Sequence, residues 1–360
     1  MRLKTVLAAL LSTALAAAAP VQAPQTPARL VAPLFAPDQG TRAVLLIEDG
    51  KVVAKRYAPG FSDANRLISW SMAKTITGFL IGMLVHDGKL KLDAPAPIAE
   101  WHRPGDPRAA ITLRMLLQMR SGLDHTEIGH PIEDSDTNQV LFVGGTQNMA
   151  ARAIAKPLEA KPGSKFEYSS LTTIILSEII TRTLTPSHDP RVRAAVYRRF
   201  AEERLFKPAD VTSAFLEFDG SGTQIGGSLI YMTLDDWGRM GTLLLDGKAA
   251  SGAQVIPPDW LAFMKAPSPL NPEYGAQVWL NRPGGLDPEG PTLFPGHGPE
   301  TVVSMVGHLG QYVIAGTGHH PRNETVTHRI VLVRLGKTQD GPALEPVRRE
   351  LGDVVGALIQ

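Results

Sequence analysis

The chain has 360 residues, 43% hydrophobic and 20% charged, and its 36 Lys and Arg against 35 Asp and Glu leave a formal net charge of +1. That balance excludes the strongly basic face of a nucleic-acid binder, and the apolar content excludes a disordered chain, which cannot bury a core. The absence of cysteine excludes disulfides, thiolate metal sites, cysteine nucleophiles and a lipoprotein anchor together, so any chemistry falls to oxygen and nitrogen nucleophiles. At this length one simple core is expected to divide, giving a single two-lobed unit.

Residues 1–18 read as a secretory signal: Arg2 and Lys4 precede an apolar run from Val6 to Leu15, and small residues follow, with cleavage expected near Ala18. The run is too short for a confident membrane span. No later segment supplies about 18 uninterrupted apolar residues. The mature chain is therefore expected to have no membrane span and to reside in a bacterial periplasm or outside the cell, where disulfides are permitted but not required. Residues 19–37, rich in Pro, Ala and Gln, read as a spacer, and residues 38–360 as one domain.

Residues 43–47 and 51–57 are strand-like and joined across Asp49-Gly50, a hairpin signal. Helical periodicity runs over 72–85, 111–120, 147–155, 170–184 and 235–246; Asp235-Asp236 suits the last of these as a helix start, where carboxylates complement the dipole. Residues 266–300, rich in Pro and Gly, read as a surface wrap. Residues 311–316 and 328–334 form a second strand pair separated by a polar loop. Val347, Leu351, Val354, Val355 and Leu358 then share one face of a final helix. Strands at both ends with helices between predict an α+β fold in three α/β/α layers, its sheet lobe drawn from about 38–65 and 300–360 and its helical lobe from the residues between.

Three short motifs carry chemistry. Ser71-Met-Ala-Lys74 opens a segment, residues 75–85, with no charge on any face, as expected of a helix buried all round. A lysine in a first helical turn opposes the dipole, and both dipole and burial favour its neutral form, which a general base requires. Ser71, three residues earlier, lies within its reach and needs such a base to become a nucleophile. Taken alone, this tetrapeptide also fits a serine cap beside a snorkelling lysine. Tyr168-Ser169-Ser170 sits at the start of a nearly uncharged helix, residues 171–180, where a phenol can project into a cleft; a core aromatic followed by a serine cap has the same pattern. Gly307-His308-Leu309-Gly310-Gln311 leads into a strand, with glycines permitting close backbone approach and a Gln311 amide that could face an oxyanion; read alone, the segment is a turn before an edge strand.

The order and spacing of Ser71-x-x-Lys74, Tyr168-x-Ser170 and His308-x-Gly310 resemble the three motifs of the serine β-lactamase and penicillin-recognising superfamily, in its class C, carboxypeptidase and esterase-like branch. Residues 111–122 and 226–238 are similar to family segments that flank the site, and the resemblance spans roughly residues 40–358. It implies a serine hydrolase in which Ser71 attacks a carbonyl, Lys74 accepts its proton, Tyr168 passes a proton to the leaving group, and the backbone amides of Ser71 and Gln311 hold the oxyanion. Ser170, His308, Leu309 and Gly310 would then contact a small-molecule or short-peptide substrate. No metal and no organic cofactor is implied.

Two departures from the family pattern bear on substrate. Ser170 stands where an asparagine is usual, and His308-Leu309 stand where a lysine and a hydroxyl residue are usual, which weakens recognition of a substrate carboxylate. An ester or amide hydrolase is expected ahead of an efficient β-lactamase; a D,D-peptidase and a non-catalytic envelope receptor are the alternatives. There is no Gly-x-Ser-x-Gly elbow, and His319-His320 have no partner at metal-ligand spacing. His125 reads either as a cleft residue or as an exposed loop histidine.

Overall fold

The computed structural model describes residues 26–283 and 298–360. The signal-like residues 1–18 and the first part of the spacer lie outside the described residues, as do residues 284–297 of the Pro- and Gly-rich stretch.

Strands β1 (Thr41–Glu48) and β2 (Lys51–Tyr57) form the hairpin expected of Asp49-Gly50, whose φ angles of 49° and 79° give the left-handed pair that a two-residue turn requires. Three short strands, β3 (Leu67–Ile68), β4 (Phe215–Leu216) and β5 (Ile230–Met232), pair in the order β3-β5-β4 and bring residues 227–232 against the chain entering Ser71. The main sheet adds β6 (Trp279–Leu280), β7 (Val303–Gly307), β8 (Gln311–His320) and β9 (Asn323–Gly336) to the first hairpin. Its order is β2-β1-β9-β8-β7-β6 with every pairing antiparallel, so both ends of the chain build one sheet.

Because successive strand residues face opposite ways, the sheet is apolar on both sides. Val44, Leu46, Ile314, Ile330 and Leu332 pack on Val347, Leu351, Val354 and Val355 of the C-terminal helix Glu345–Leu358. Ala43, Leu45, Val313, Val331 and Val333 belong to the larger core, which continues into the helices Ala73–His86, Ser170–Leu184 and Leu234–Asp246. The expected α+β arrangement of a helical lobe on one side of a two-ended sheet is what the chain adopts. Among the described residues no helix is long and apolar enough to cross a membrane.

Four readings need correction. The polar loop expected between 316 and 328 is largely strand: β8 runs to His320 and β9 begins at Asn323. Residues 323–327 are exposed, so no apolar alternation marks them and the ladder alone holds them. The helix expected over 111–120 is only Leu113–Leu117, whereas Pro190–Ala201 and Pro258–Lys265 are helices whose charged or Pro-led sequences hid them. The described end of the spacer is not loose, since Val31 and Leu34 are buried in the core beneath the C-terminal helix. Residues 266–283 do not wrap the surface. Tyr274, Gln277, Val278 and Leu280 are buried there, and Gln277 braces two helices by accepting from Thr75 Oγ1 at 2.6 Å and Thr173 Oγ1 at 2.8 Å.

Candidate active site

The approach to Ser71 is fixed from behind by Ser69. Its N–H donates to Ile230 O at 2.8 Å, its hydroxyl donates to Ser228 O at 2.9 Å, and it accepts from Ile230 N at 3.1 Å. Trp70 follows at φ 44°, a left-handed conformation that costs a bulky residue energy and persists only where the surroundings impose it. A single 3-10 turn, Trp70–Met72, then delivers Ser71 to the start of the Ala73–His86 helix, whose residues 73–84 are all buried.

Lys74 is 2% exposed. Its Nζ lies 2.9 Å from Ser71 Oγ, 2.8 Å from Ser170 Oγ and 2.9 Å from Gly227 O. Burial pushes its pKa down to about 8, against the opposing pull of the Glu127 charge. Tyr168 packs at 5.7 Å from Tyr274 and 5.4 Å from Trp279, and Lys74 Nζ sits 4.8 Å from its ring centre. Burial, reinforced by Glu127, holds its phenol well above its ordinary value, although hydrogen bonding with Ser71 and Trp279 acts the other way. The two groups are thereby separated in role. Near neutral pH Lys74 can accept a proton from Ser71, and Tyr168 keeps its own.

Ser170, read from the sequence as a substrate contact, lines the cleft at 1% exposure and links groups on either side of it. Its hydroxyl donates to Glu127 Oε1 at 2.7 Å and its N–H to Glu127 Oε2 at 2.6 Å, while Lys74 approaches the same hydroxyl. Glu127 also accepts from Thr137 Oγ1 at 2.6 Å. No sequence motif singles out Glu127; it lies 43 residues before Ser170 and reaches it only through the fold.

The third motif divides. Gly307 and His308 line the cleft, whereas Leu309, Gly310 and Gln311 do not. Gln311 pairs with Gly307 in the β7–β8 ladder, and its carboxamide is used internally, donating to Gly336 O at 2.7 Å and accepting from Gly336 N at 2.9 Å. Gly310 turns at φ 76° toward Arg334, whose Nη1 a Cβ there would meet at 2.5 Å. Gly307 makes the close approach that matters, because a Cβ on it would stand 2.2 Å from Ser69 O. The His308 imidazole pairs with Asp340, which also accepts from Leu309 N at 3.1 Å. His125 lies behind the site, 3% exposed, bonded to Ala153 O and to the Thr172 and Ser169 hydroxyls, with burial lowering its pKa.

These groups border a cleft of about 620 Å³ whose walls include Trp70, Ile132, Leu141, Phe142, Trp279 and Leu344. Among the described residues its lining contains no Arg or Lys, and its carboxylates are Glu127 and Asp340, the latter paired with the His308 imidazole. His319 and His320 are elsewhere. Among the described residues the grouping of three metal-capable side chains is Glu48, Asp49 and His328, an ion-paired set on the first hairpin and β9 that does not line the cleft.

In sequence, the chain is 24% identical over 234 residues to the 6-aminohexanoate-dimer hydrolase of Paenarthrobacter ureafaciens, a match covering 63% of this chain and 57% of that relative. In structure, it is similar to a putative 6-aminohexanoate-dimer hydrolase from Bacillus anthracis (20% identity, TM-score 0.66, 88% of this chain and 78% of the other). It is also similar to a family VIII carboxylesterase (13% identity, TM-score 0.61, 91% and 96%). At these identities the structural likeness speaks to the fold. The sequence profile of the β-lactamase family matches residues 31–356, and the chain therefore belongs to that family.

Proposed function

We propose that the chain cleaves a small ester or amide whose acyl part is apolar and carries no free carboxylate, through an acyl-enzyme on Ser71. The observation that carries this reading is the 2.9 Å contact between the Ser71 hydroxyl and a buried lysine amine. Lys74 takes the proton, Ser71 Oγ attacks the carbonyl carbon, and the phenol of Tyr168 supplies a proton to the departing group; water then hydrolyses the ester on Ser71. For the oxyanion, the Ser71 N–H is joined by that of His308 rather than Gln311. Neither N–H has an acceptor among the described residues, and both residues line the cleft.

Substrate class follows from the walls. Ile128, Ile132 and Phe142 are 70%, 54% and 58% exposed at the cleft, an apolar surface left open to solvent. A substrate carboxylate would meet Glu127 and Asp340 with no unpaired surface cation among the described lining residues. The hydrolase and carboxylesterase names of the relatives support a hydrolytic reading. The test is intact mass after incubation with a fluorophosphonate, then turnover of p-nitrophenyl butyrate and nitrocefin. Labelling of the wild type but not of Ser71→Ala, with the ester preferred, is expected. An unlabelled wild type removes the nucleophile, and nitrocefin turnover near 10⁶ M⁻¹ s⁻¹ removes the charge argument. Export, supported by residues 1–18, is tested by whether the intact gene product reaches the periplasm or medium.

A further inference from the structure

We propose that Glu127 is a positioning residue: acting through Ser170, it aims the lone pair of Lys74 at the Ser71 hydroxyl. The inference rests on the reading of Ser71 as nucleophile. It begins with a count of hydrogens. Ser170 has one hydroxyl proton, and that proton faces Glu127 Oε1 at 2.7 Å. A carboxylate only accepts, and Glu127 is fixed in place by two further donors, Ser170 N at 2.6 Å and Thr137 Oγ1 at 2.6 Å, both on Oε2. The Ser170 oxygen can therefore meet Lys74 only as an acceptor.

A neutral lysine amine has two N–H groups and one lone pair, and Lys74 Nζ has three neighbours. Gly227 O accepts one N–H and Ser170 Oγ accepts the other. The remaining tetrahedral direction, the lone pair, falls on Ser71 Oγ at 2.9 Å. When Ser71 reacts, its O–H bond breaks and the proton forms a third N–H on Lys74. The oxygen's electron pair forms the bond to the carbonyl carbon. The other two N–H groups do not move. The logic is that of a carboxylate choosing the tautomer of a catalytic histidine, carried over to an amine through a serine.

Glu127→Gln is nearly isosteric and reverses the direction of the chain of bonds. The two donors on Oε2 require the amide oxygen there, which leaves the amide NH₂ facing Ser170 Oγ. Ser170 must then turn its proton toward Lys74, and the lone pair is drawn away from Ser71. The experiment follows the rate of fluorophosphonate labelling of Ser71 by intact mass. Concentration and pH are varied for the wild type, Glu127→Gln, Ser170→Ala and the double variant, and melting temperatures are measured alongside.

In Glu127→Gln the expected result is a plateau labelling rate about 100- to 10,000-fold lower, with probe binding little changed. Ser170→Ala should also lose rate, and Glu127→Gln should add nothing further on that background. Glu127 also raises the Lys74 pKa by its charge, so its neutralisation moves the acid limb to lower pH. A shifted limb with an undiminished plateau overturns the proposal, because charge alone would then account for Glu127. Losses that multiply in the double variant overturn it too. Should Glu127→Gln melt near the assay temperature, Ser170→Ala decides, and wild-type rate in that variant rejects the relay. A wild type that does not label at all removes the nucleophile reading itself, a result separate from equal labelling of wild type and variant.

Discussion

Two helix starts in this chain are built on opposite plans. The Leu234–Asp246 helix has a Thr233 hydroxyl accepting from Asp236 N, Asp235 and Asp236 in its first turn, and Gly247 closing its end at φ 77°. Asp236 further accepts from Thr212 N, Ser213 N and Ser213 Oγ at 2.5–3.0 Å. Every polar group there serves stability. The Ala73–His86 helix has no side-chain cap, no acid in its first turn, and a buried lysine in place of one. Its entry residue Trp70 is held in a left-handed conformation. On the proposed reading, what is missing as stabilisation serves chemistry: an uncapped start leaves the Ser71 N–H available to an oxyanion, and a lysine opposed by burial gives up its proton near pH 8.

Substitutions should separate the two plans cleanly. Ser71→Ala should lower turnover of p-nitrophenyl butyrate by about 10⁴- to 10⁶-fold while melting at the wild-type temperature or above, checked by steady-state assay and calorimetry. Tyr168→Phe keeps the ring packing and removes the phenol proton; kcat should fall about 100- to 10,000-fold with KM nearly constant. The third expectation concerns pH. Lys74 works as its neutral form, so the rate should rise as pH approaches about 8 and level off above it, whereas a base with an ordinary carboxylate pKa would give a flat profile across that range. At the other helix, Thr233→Ala should cost about 1 kcal/mol of stability in a denaturant titration and leave the rate unchanged. Loss of rate in that variant, or of stability alone in Ser71→Ala, breaks the contrast.

What was legible in the sequence was whatever depends on near neighbours. Asp49-Gly50 fixed a hairpin, the apolar spacing of Val347 to Leu358 fixed a helix, and Ser71 with Lys74 lay one turn apart at the head of a segment, residues 75–85, without charge. What was hidden depends on register or on contact across the fold. Which N–H of the 307–311 segment faces the cleft is decided by pairing Gly307 with Gln311, and a string of residues does not reveal that pairing. Glu127, in an irregular segment, had no local signature, because its meaning comes from a serine at the head of the Ser170–Leu184 helix. His125 was ambiguous for the converse reason, since only packing shows that a loop histidine is enclosed. The start of β9 escaped because residues 323–327 are all exposed, leaving periodicity nothing to follow.

Arg334 on β9 joins parts of the molecule that are remote along the chain. Fully enclosed at 0% exposure, its guanidinium donates to Gly310 O at 2.5 Å in the turn after His308, to Thr41 Oγ1 at 3.1 Å where the first strand begins, and to Gln39 O just ahead of it. Burial draws its pKa down to about 10, still far above neutrality, so it remains a cation among carbonyl and hydroxyl dipoles. One fastener thus secures both the chain's entry into the sheet and the turn after His308 at the border of the cleft. The residues just before β1 are consequently a poor place to attach a tag or graft a new segment: a pull on that edge is felt, through a single rigid plane of atoms, at the turn beside the cleft.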